Sequence, residues 1–260
     1  MKKVLSIAGS DCSGGAGIQA DLKTMTALGV YGMSVITALT AQNTTGVYAV
    51  EESAPEFVAR QLDCVFEDIF PDAVKIGMVS NSALIETIAA KLQEYQAKNI
   101  VLDPVMVATS GGVLMKSEAT QVLVEKLFPL ASLITPNIPE AEALSGLKIA
   151  GKKDMLAAAQ KLAEQTSAAI LLKGGHLTES ADDLLFYNNE EYWFSAPHIE
   201  TKNTHGTGCT LSSAIACLLA DGEELPQAVE GAKQYLWQAI RHEPSLGRGN
   251  GPINHMWQKI

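Results

Sequence analysis

The sequence is poor in the features that mark several large protein classes. Only four of its 260 residues are cysteine, Cys12, Cys64, Cys209 and Cys217, and no two have CxxC spacing. A disulfide-stapled scaffold is therefore excluded, and reduced thiols in a cytoplasmic protein are expected. No apolar run exceeds seven residues (Ala214 to Ala220), whereas a membrane-spanning helix needs about 20. The basic start Met1-Lys2-Lys3 leads only into the short Val4–Ala8 stretch before Asp11, so no secretory signal is read. Positive charge is scarce: 19 Lys+Arg against 29 Asp+Glu leave a net charge of −10. A chain this acidic repels polyphosphate backbones, which argues against nucleic acid as a partner. Small anions stay open, because backbone amides and a few lysines can hold them locally. The two common nucleotide fingerprints are missing as well. No GxxxxGK[ST] occurs, and Gly9-Ser10-Asp11-Cys12-Ser13-Gly14-Gly15-Ala16-Gly17 does not fit GxGxxG. His176, His198, His242 and His255 lack metal-site spacing and read as structural.

What is present points to one α/β domain over residues 1–260. A hydrophobic fraction of 47% against 18% charged residues suffices for a sizeable core. Short β-branched runs alternate with longer helical patterns. Strands are expected at Val4–Ala8, Ser34–Leu39, Val74–Ile76, Ile100–Asp103, Ser132–Thr135 and Ala169–Lys173. Helices are expected at Gly17–Leu28, Glu56–Phe70, Ser82–Ala97, Ser117–Phe128, Pro139–Leu144 and Lys152–Gln165, with two more at Thr207–Ala220 and Glu224–His242. Strands apolar on both faces belong between two helix layers, and β-then-α alternation implies a parallel sheet with right-handed crossovers. One late departure is expected, an antiparallel hairpin of Leu184–Tyr187 and Tyr192–Ala196 around Asn188-Asn189-Glu190.

In such a sheet ligands bind at the carboxyl ends of the strands, and the residues there carry polar chemistry. Asn203-Thr204-His205-Gly206-Thr207-Gly208-Cys209-Thr210 opens a small-residue helix. Its glycines let backbone N–H groups approach a ligand, and a helix start favours negative charge, which together suit a phosphoryl group. Cys209 in that first turn has the setting that lowers a thiol pKa and suits it to act as a base; a plain glycine turn before a buried cysteine is the other reading. Asn137 and Glu140 lie three apart after Thr135-Pro136. Their oxygens suit Mg²⁺, and the same spacing also makes a helix capping box. Lys173 ends an apolar run beside Gly174-Gly175, as a phosphate-binding lysine would. Asp21, one turn into the first helix, is read evenly as a ligand contact or a solvated helix residue.

Taken together these segments resemble the ribokinase-like superfamily and, within it, the hydroxymethylpyrimidine/phosphomethylpyrimidine kinases of thiamine biosynthesis. The resemblance runs nearly end to end. It covers Ala8-Gly9-Ser10-Asp11, Ser13 to Lys23, Ser34 to Thr44, Lys75-Ile76-Gly77-Met78, Leu102 to Met106, Thr135 to Glu142, Leu172 to His176 and His205 to Ser213.

The resemblance implies a three-layer sandwich, a homodimer, and ATP- and Mg²⁺-dependent phosphorylation of 4-amino-5-hydroxymethyl-2-methylpyrimidine and then of its monophosphate. It assigns Asp21 and Gln42 to hydrogen bonds with the aminopyrimidine, Met78 to its ring, and Gly9 to the substrate pocket. Gly206, Thr207 and Gly208 match the anion hole, and Cys209 the base, where most of the superfamily has Asp. Asn137 and Glu140 (through water) match the metal element, with Asp103 a further candidate ligand, and Lys173 a phosphate contact. Val105 to Met115 is expected as a lid. A pyridoxal kinase of the same superfamily is the nearest rival, and Gln42 favours the aminopyrimidine, since an amide offers both donor and acceptor. A silent pyrimidine-binding protein is the alternative from another class.

Overall fold

The computed structural model describes residues 1–106, 117–175 and 181–259. The chain builds β1 (Lys3–Asp11), α1 (Gly17–Ala27), β2 (Tyr31–Asn43), β3 (Gly46–Glu52), α2 (Pro55–Asp68), β4 (Ala73–Ile76), α3 (Ser82–Glu94) and β5 (Ile100–Leu102). It continues with α4 (Ser117–Lys126), β6 (Leu133–Ile134), α5 (Ile138–Ser145), α6 (Lys152–Ala163), β7 (Ala169–Leu172), β8 (Asp183–Tyr187), β9 (Glu190–Phe194), α7 (Thr207–Asp221) and α8 (Leu225–Arg241). The nine strands form one sheet in the order β3-β2-β1-β4-β5-β6-β7-β8-β9. All pairs from β2 through β1 to β7 are parallel.

The layers follow from the two-residue period of a strand. Leu5, Ile7, Val74, Ile76, Ile100 and Leu102 point to one face, where α2 to α6 cover them. Their neighbours Val4, Ala73, Val101 and Leu133 point to the other, against α1, α7 and α8. The central strands are therefore apolar on both faces, as strands between two helix layers should be, with Ser6 of β1 and Lys75 of β4 as buried polar exceptions.

The late hairpin is present as β8 and β9, antiparallel, and both turn residues Asn188 and Asn189 have positive φ. That conformation suits asparagine and matches the twist of a two-residue hairpin. Glu190 belongs to β9 rather than to the turn. The hairpin also joins the sheet antiparallel to β7, and a third antiparallel pair, β2 with β3 at the opposite edge, goes beyond the late departure expected. β3 (GVYAVEE) is largely exposed at the sheet edge and so lacks a buried strand's apolar run. No described helix is long and apolar enough to cross a membrane.

Candidate active site

The parallel strands end along one edge of the sheet, and a cavity of about 690 Å³ lies there. Residues from both ends of the sequence wall it: Gly9, Gln42 and Met78 at one end, Asp103, Lys173 and Gly206–Cys209 in the middle, and Pro197, His198 and Trp237 at the other. Two irregularities shape the first end. The pairing of β1 with β2 shifts register between Ala8 and Ser10, at Gly9, and β2 with β3 shifts between Ala41 and Gln42. Bulges of this kind re-aim side chains at a sheet end. Gly9 lies so close to Met78 that a Cβ there would sit 3.0 Å from the Met78 sulfur, and Thr37 Oγ1 fixes Met78 by donating to its carbonyl at 2.7 Å.

The glycine turn opens α7. Gly206 is the N-cap, with φ 83°, and no side chain caps it. A Cβ at Gly206 would lie 2.0 Å from the Gly15 carbonyl oxygen, so both the left-handed backbone and the close approach require glycine. A Cβ on Gly208 would stand 3.3 Å from Asp103 Oδ2 and 3.4 Å from Lys173 Nζ. The start of the helix, a lysine and an aspartate thus converge on one spot. Lys173 donates to Asp103 Oδ1 at 2.7 Å. Burial alone would push its pKa down, but Asp103 and Glu140 outweigh it and hold the ammonium above its usual range. The cation that the sequence places at this strand end is therefore kept charged.

Asn137 and Glu140 form a full capping box at the start of α5. Asn137 Oδ1 accepts from the Glu140 N–H at 2.9 Å, and Glu140 Oε2 accepts from the Asn137 N–H at 2.8 Å. The bland reading is thus realised, and it leaves room for the other. Burial raises the Glu140 pKa to about 7; Lys173 opposes this and Asp103 adds to it. Two buried carboxylates sharing one lysine are short of positive charge, and their hard oxygens suit Mg²⁺. Among the described residues no three His, Cys, Asp or Glu side chains group as a metal centre.

Two expectations are corrected. The Cys209 thiol is not lowered by the helix start: burial pushes it up to about 11, with Asp21 and Asp103 adding, while Lys75 and the Gly17 N–H pull the other way. Desolvation outweighs the partial charge of a helix terminus. Asp21 is fully buried and does not line the cavity. Its carboxylate accepts from Lys75 Nζ at 2.8 Å, from Ser6 Oγ and from Ser213 Oγ. It is saturated within the protein rather than turned to a ligand. Helix spacing does not reveal a lysine 54 positions away on the strand beneath. The lid expectation falls mostly on residues 107–116 and His176 on 176–180, both outside the described residues; Val105 and Met106 do line the cavity.

Sequence reasoning missed three groups. Asp11 and His205 meet at 2.8 Å across 194 positions. Lys233 donates to Asp183 Oδ2 at 2.6 Å, and Asp183 Oδ1 accepts from the Gly174 N–H, which braces the turn behind Lys173. The Pro197–Trp237 end combines a post-strand loop with α8, and no local motif marks it.

Comparison with known proteins agrees with this geometry. The phosphomethylpyrimidine kinase family profile matches residues 11–254. A thiamine biosynthesis bifunctional protein of Geobacter sulfurreducens is 54% identical over 97% of this chain, which spans about half (52%) of that protein. The hydroxymethylpyrimidine/phosphomethylpyrimidine kinase of Rhizobium meliloti is 52% identical over 98% of both chains. The crystal structure of the Clostridium difficile phosphomethylpyrimidine kinase superposes with TM-score 0.83 at 48% identity, covering 92% of this chain and all of that one. A Bacillus subtilis pyridoxal kinase in complex with ADP superposes with TM-score 0.92 at 38% identity, covering 100% and 99%. The nine-stranded mixed sheet is thus the ribokinase-like fold of these kinases. The family match runs from Asp11 at the end of β1 to Asn254 beyond the last long helix and takes in the lining of the cavity apart from Gly9 and Ser10, and the chain belongs to the phosphomethylpyrimidine kinase family.

Proposed function

We infer that this chain transfers the γ-phosphoryl group of ATP to the hydroxymethyl oxygen of 4-amino-5-hydroxymethyl-2-methylpyrimidine, and then a second phosphoryl group to the monophosphate. The observation that carries this reading is the Gly206–Cys209 turn, which opens into the cavity beside Lys173 and Asp103. Phosphoryl transfer asks little covalent chemistry of a protein and much positioning and charge stabilisation. The unencumbered start of α7 and the Lys173 ammonium supply positive potential where three phosphoryl oxygens gain charge. Gln42, Gly9 and Met78 hold the pyrimidine at one end, and the apolar end around Pro197 and Trp237 receives the nucleoside of ATP. Asn137, Glu140 and Asp103 would hold Mg²⁺, which when bound offsets phosphate charge.

Cys209 is the proposed acceptor of the hydroxymethyl proton in the first reaction. Only the thiolate can accept that proton, so the raised pKa leaves this step to the minor thiolate fraction, and the loose transition state calls on it late. In the second reaction the acceptor is already anionic and needs less help. One continuous sheet supports action as a single domain, and the free thiols Cys12, Cys64, Cys209 and Cys217 suit a cytoplasmic setting. Exposed Leu39, Tyr48, Val50 and Phe57, on and beside the β3 edge, support a homodimer.

The likeness to pyridoxal kinase keeps one second reading. Steady-state assays on the two acceptors separate them: kcat/KM for the aminopyrimidine alcohol is expected to exceed that for pyridoxal by on the order of tenfold or more, the worth of one matched hydrogen-bond pair. A preference for pyridoxal overturns the substrate assignment while leaving the kinase intact.

A further inference from the structure

The amide of Gln42 is the group that reads the acceptor in the proposed function, and its surroundings determine which way round it sits. Asp11 closes β1. Its buried carboxylate is crowded by donors: the Ser13 N–H and Oγ at 2.8 Å each on Oδ1, and the Gly15 and Ala16 N–H groups at 3.0 and 2.9 Å on Oδ2. Burial would raise its pKa, but these bonds and the one to His205 hold it well below the usual carboxylate range. An ionised carboxylate only accepts. The His205 Nε2 that lies 2.8 Å from Asp11 Oδ2 must therefore carry a hydrogen and donate it.

The same Nε2 also faces the Gln42 amide, at 3.3 Å from the Nε2 position, while the Gln42 Oε1 position lies 3.2 Å from Thr40 Oγ1. An NH₂ group there would aim N–H at N–H. The amide's oxygen and nitrogen are nearly isosteric and are assigned from the hydrogen bonds they can make. Exchanging them satisfies every partner. The oxygen then takes a share of the His205 N–H, the NH₂ donates to Thr40 Oγ1, and the Thr40 hydroxyl hydrogen goes to the Ser10 carbonyl at 3.0 Å.

We propose that His205, held by Asp11 as an Nε2–H donor, is a positioning residue that turns the Gln42 oxygen toward itself and so fixes the donor–acceptor order presented to the acceptor substrate. One amide N–H and one oxygen lone pair remain for the ligand. A ligand must offer its acceptor on the Thr40 side and its donor on the His205 side, as a ring nitrogen beside an exocyclic amine can. The pair also links the two halves of the site. His205 immediately precedes Gly206, its main-chain N–H donates to the Gly251 carbonyl at 3.1 Å, and Gly15 packs on its ring so closely that a Cβ there would lie 2.3 Å from Cδ2. Acceptor recognition and the anion-binding turn thus share one residue.

The test has two arms, and the second rests on the aminopyrimidine reading above. In the first, long-range ¹H–¹⁵N spectra of the ¹⁵N-labelled full chain at neutral pH are expected to show His205 protonated at Nε2; an unprotonated Nε2 overturns the proposal whatever the substrate is. In the second, His205→Phe is expected to raise KM for the aminopyrimidine alcohol by about tenfold, the loss of one oriented hydrogen bond, with KM for ATP changed far less. In a Gln42→Ala background the same substitution should raise KM no further. An equal rise in both backgrounds means that His205 does not act through Gln42 and defeats the proposal. Gln42→Glu, which keeps the bond to His205 and loses the N–H on the Thr40 side, should raise KM as His205→Phe does, and an unchanged KM contradicts the assigned order. Should the wild type ignore aminopyrimidine alcohols, the substrate reading fails, and the spectroscopic arm still decides the hydrogen-bond assignment.

Discussion

Cys209 illustrates how a residue's setting can reverse an expectation drawn from its position. A helix start lowers a thiol pKa, yet enclosure in the cavity wall raises this one to about 11. Near neutral pH the thiol is protonated in the free protein, and each pH step upward increases the thiolate fraction about tenfold until its pKa is reached. If the thiolate takes the hydroxymethyl proton, the first phosphorylation should accelerate between pH 7 and 9 while the second stays flatter. Cys209→Ala should slow the first step by about 10²-fold or more, the usual worth of a general base, remove its pH slope and spare the second step. Equal losses in single-substrate assays of the two steps would reject the role. The thiol was legible in the sequence; its environment was not, because the carboxylates around it come from Asp21 and Asp103, far away in the chain.

At the scale of elements, α5 shows one short motif serving two purposes. Asn137 and Glu140 complete a capping box that stabilises the helix start, and the same carboxylate is buried next to Asp103 and Lys173 with a pKa raised to about 7. A carboxyl group raised on folding costs stability above its unfolded pKa near 4.5; the cost grows as pH climbs toward 7 and is then constant. Glu140→Gln keeps the N3 hydrogen bond of the box and removes the charge. It is expected to raise stability at pH 7.5 by about 1–3 kcal/mol, to lose that gain below pH 4.5, and to require more Mg²⁺ for half-maximal rate. Urea denaturation at the two pH values, with a Mg²⁺ titration of activity, checks all three; a variant destabilised at pH 7.5 would show that the carboxylate acts only as a cap. Most other elements were readable from periodicity, because the strands between two helix layers are predominantly apolar on both faces and the helices on one only. β3 was not, since an exposed edge strand ending in Glu51-Glu52 has no buried face to announce it. The β8–β9 turn was, because two adjacent asparagines tolerate the positive φ it needs.

The whole molecule is tied together below the site by a buried pair, one member of which, Asp21, the resemblance assigned to the substrate. Asp21 of α1 and Lys75 of β4, both fully buried, meet at 2.8 Å, and Ser6 of β1 and Ser213 of α7 donate to the same carboxylate. One carboxylate thus joins the central strands to α1 and α7, the two helices that follow the glycine turns. Asp21→Asn would leave the Lys75 charge without a counter-ion in the core. It should cost about 3–5 kcal/mol in denaturant unfolding, with KM for the acceptor little changed; a raised KM at full stability would return Asp21 to substrate binding. The glycine turn before α7 was legible because its glycines and cysteine are contiguous. The Asp11–His205 pair and the Pro197–Trp237 end were not, because their members meet only through the fold.

The cavity at the strand ends is proposed to pass a phosphoryl group from ATP to a pyrimidine alcohol. Mass spectrometry of a time course with purified protein, Mg·ATP and 4-amino-5-hydroxymethyl-2-methylpyrimidine tests that directly. The monophosphate should appear first and the diphosphate follow from it. ATP left unconsumed, or a monophosphate that never advances at any enzyme concentration, would contradict the two-step transfer.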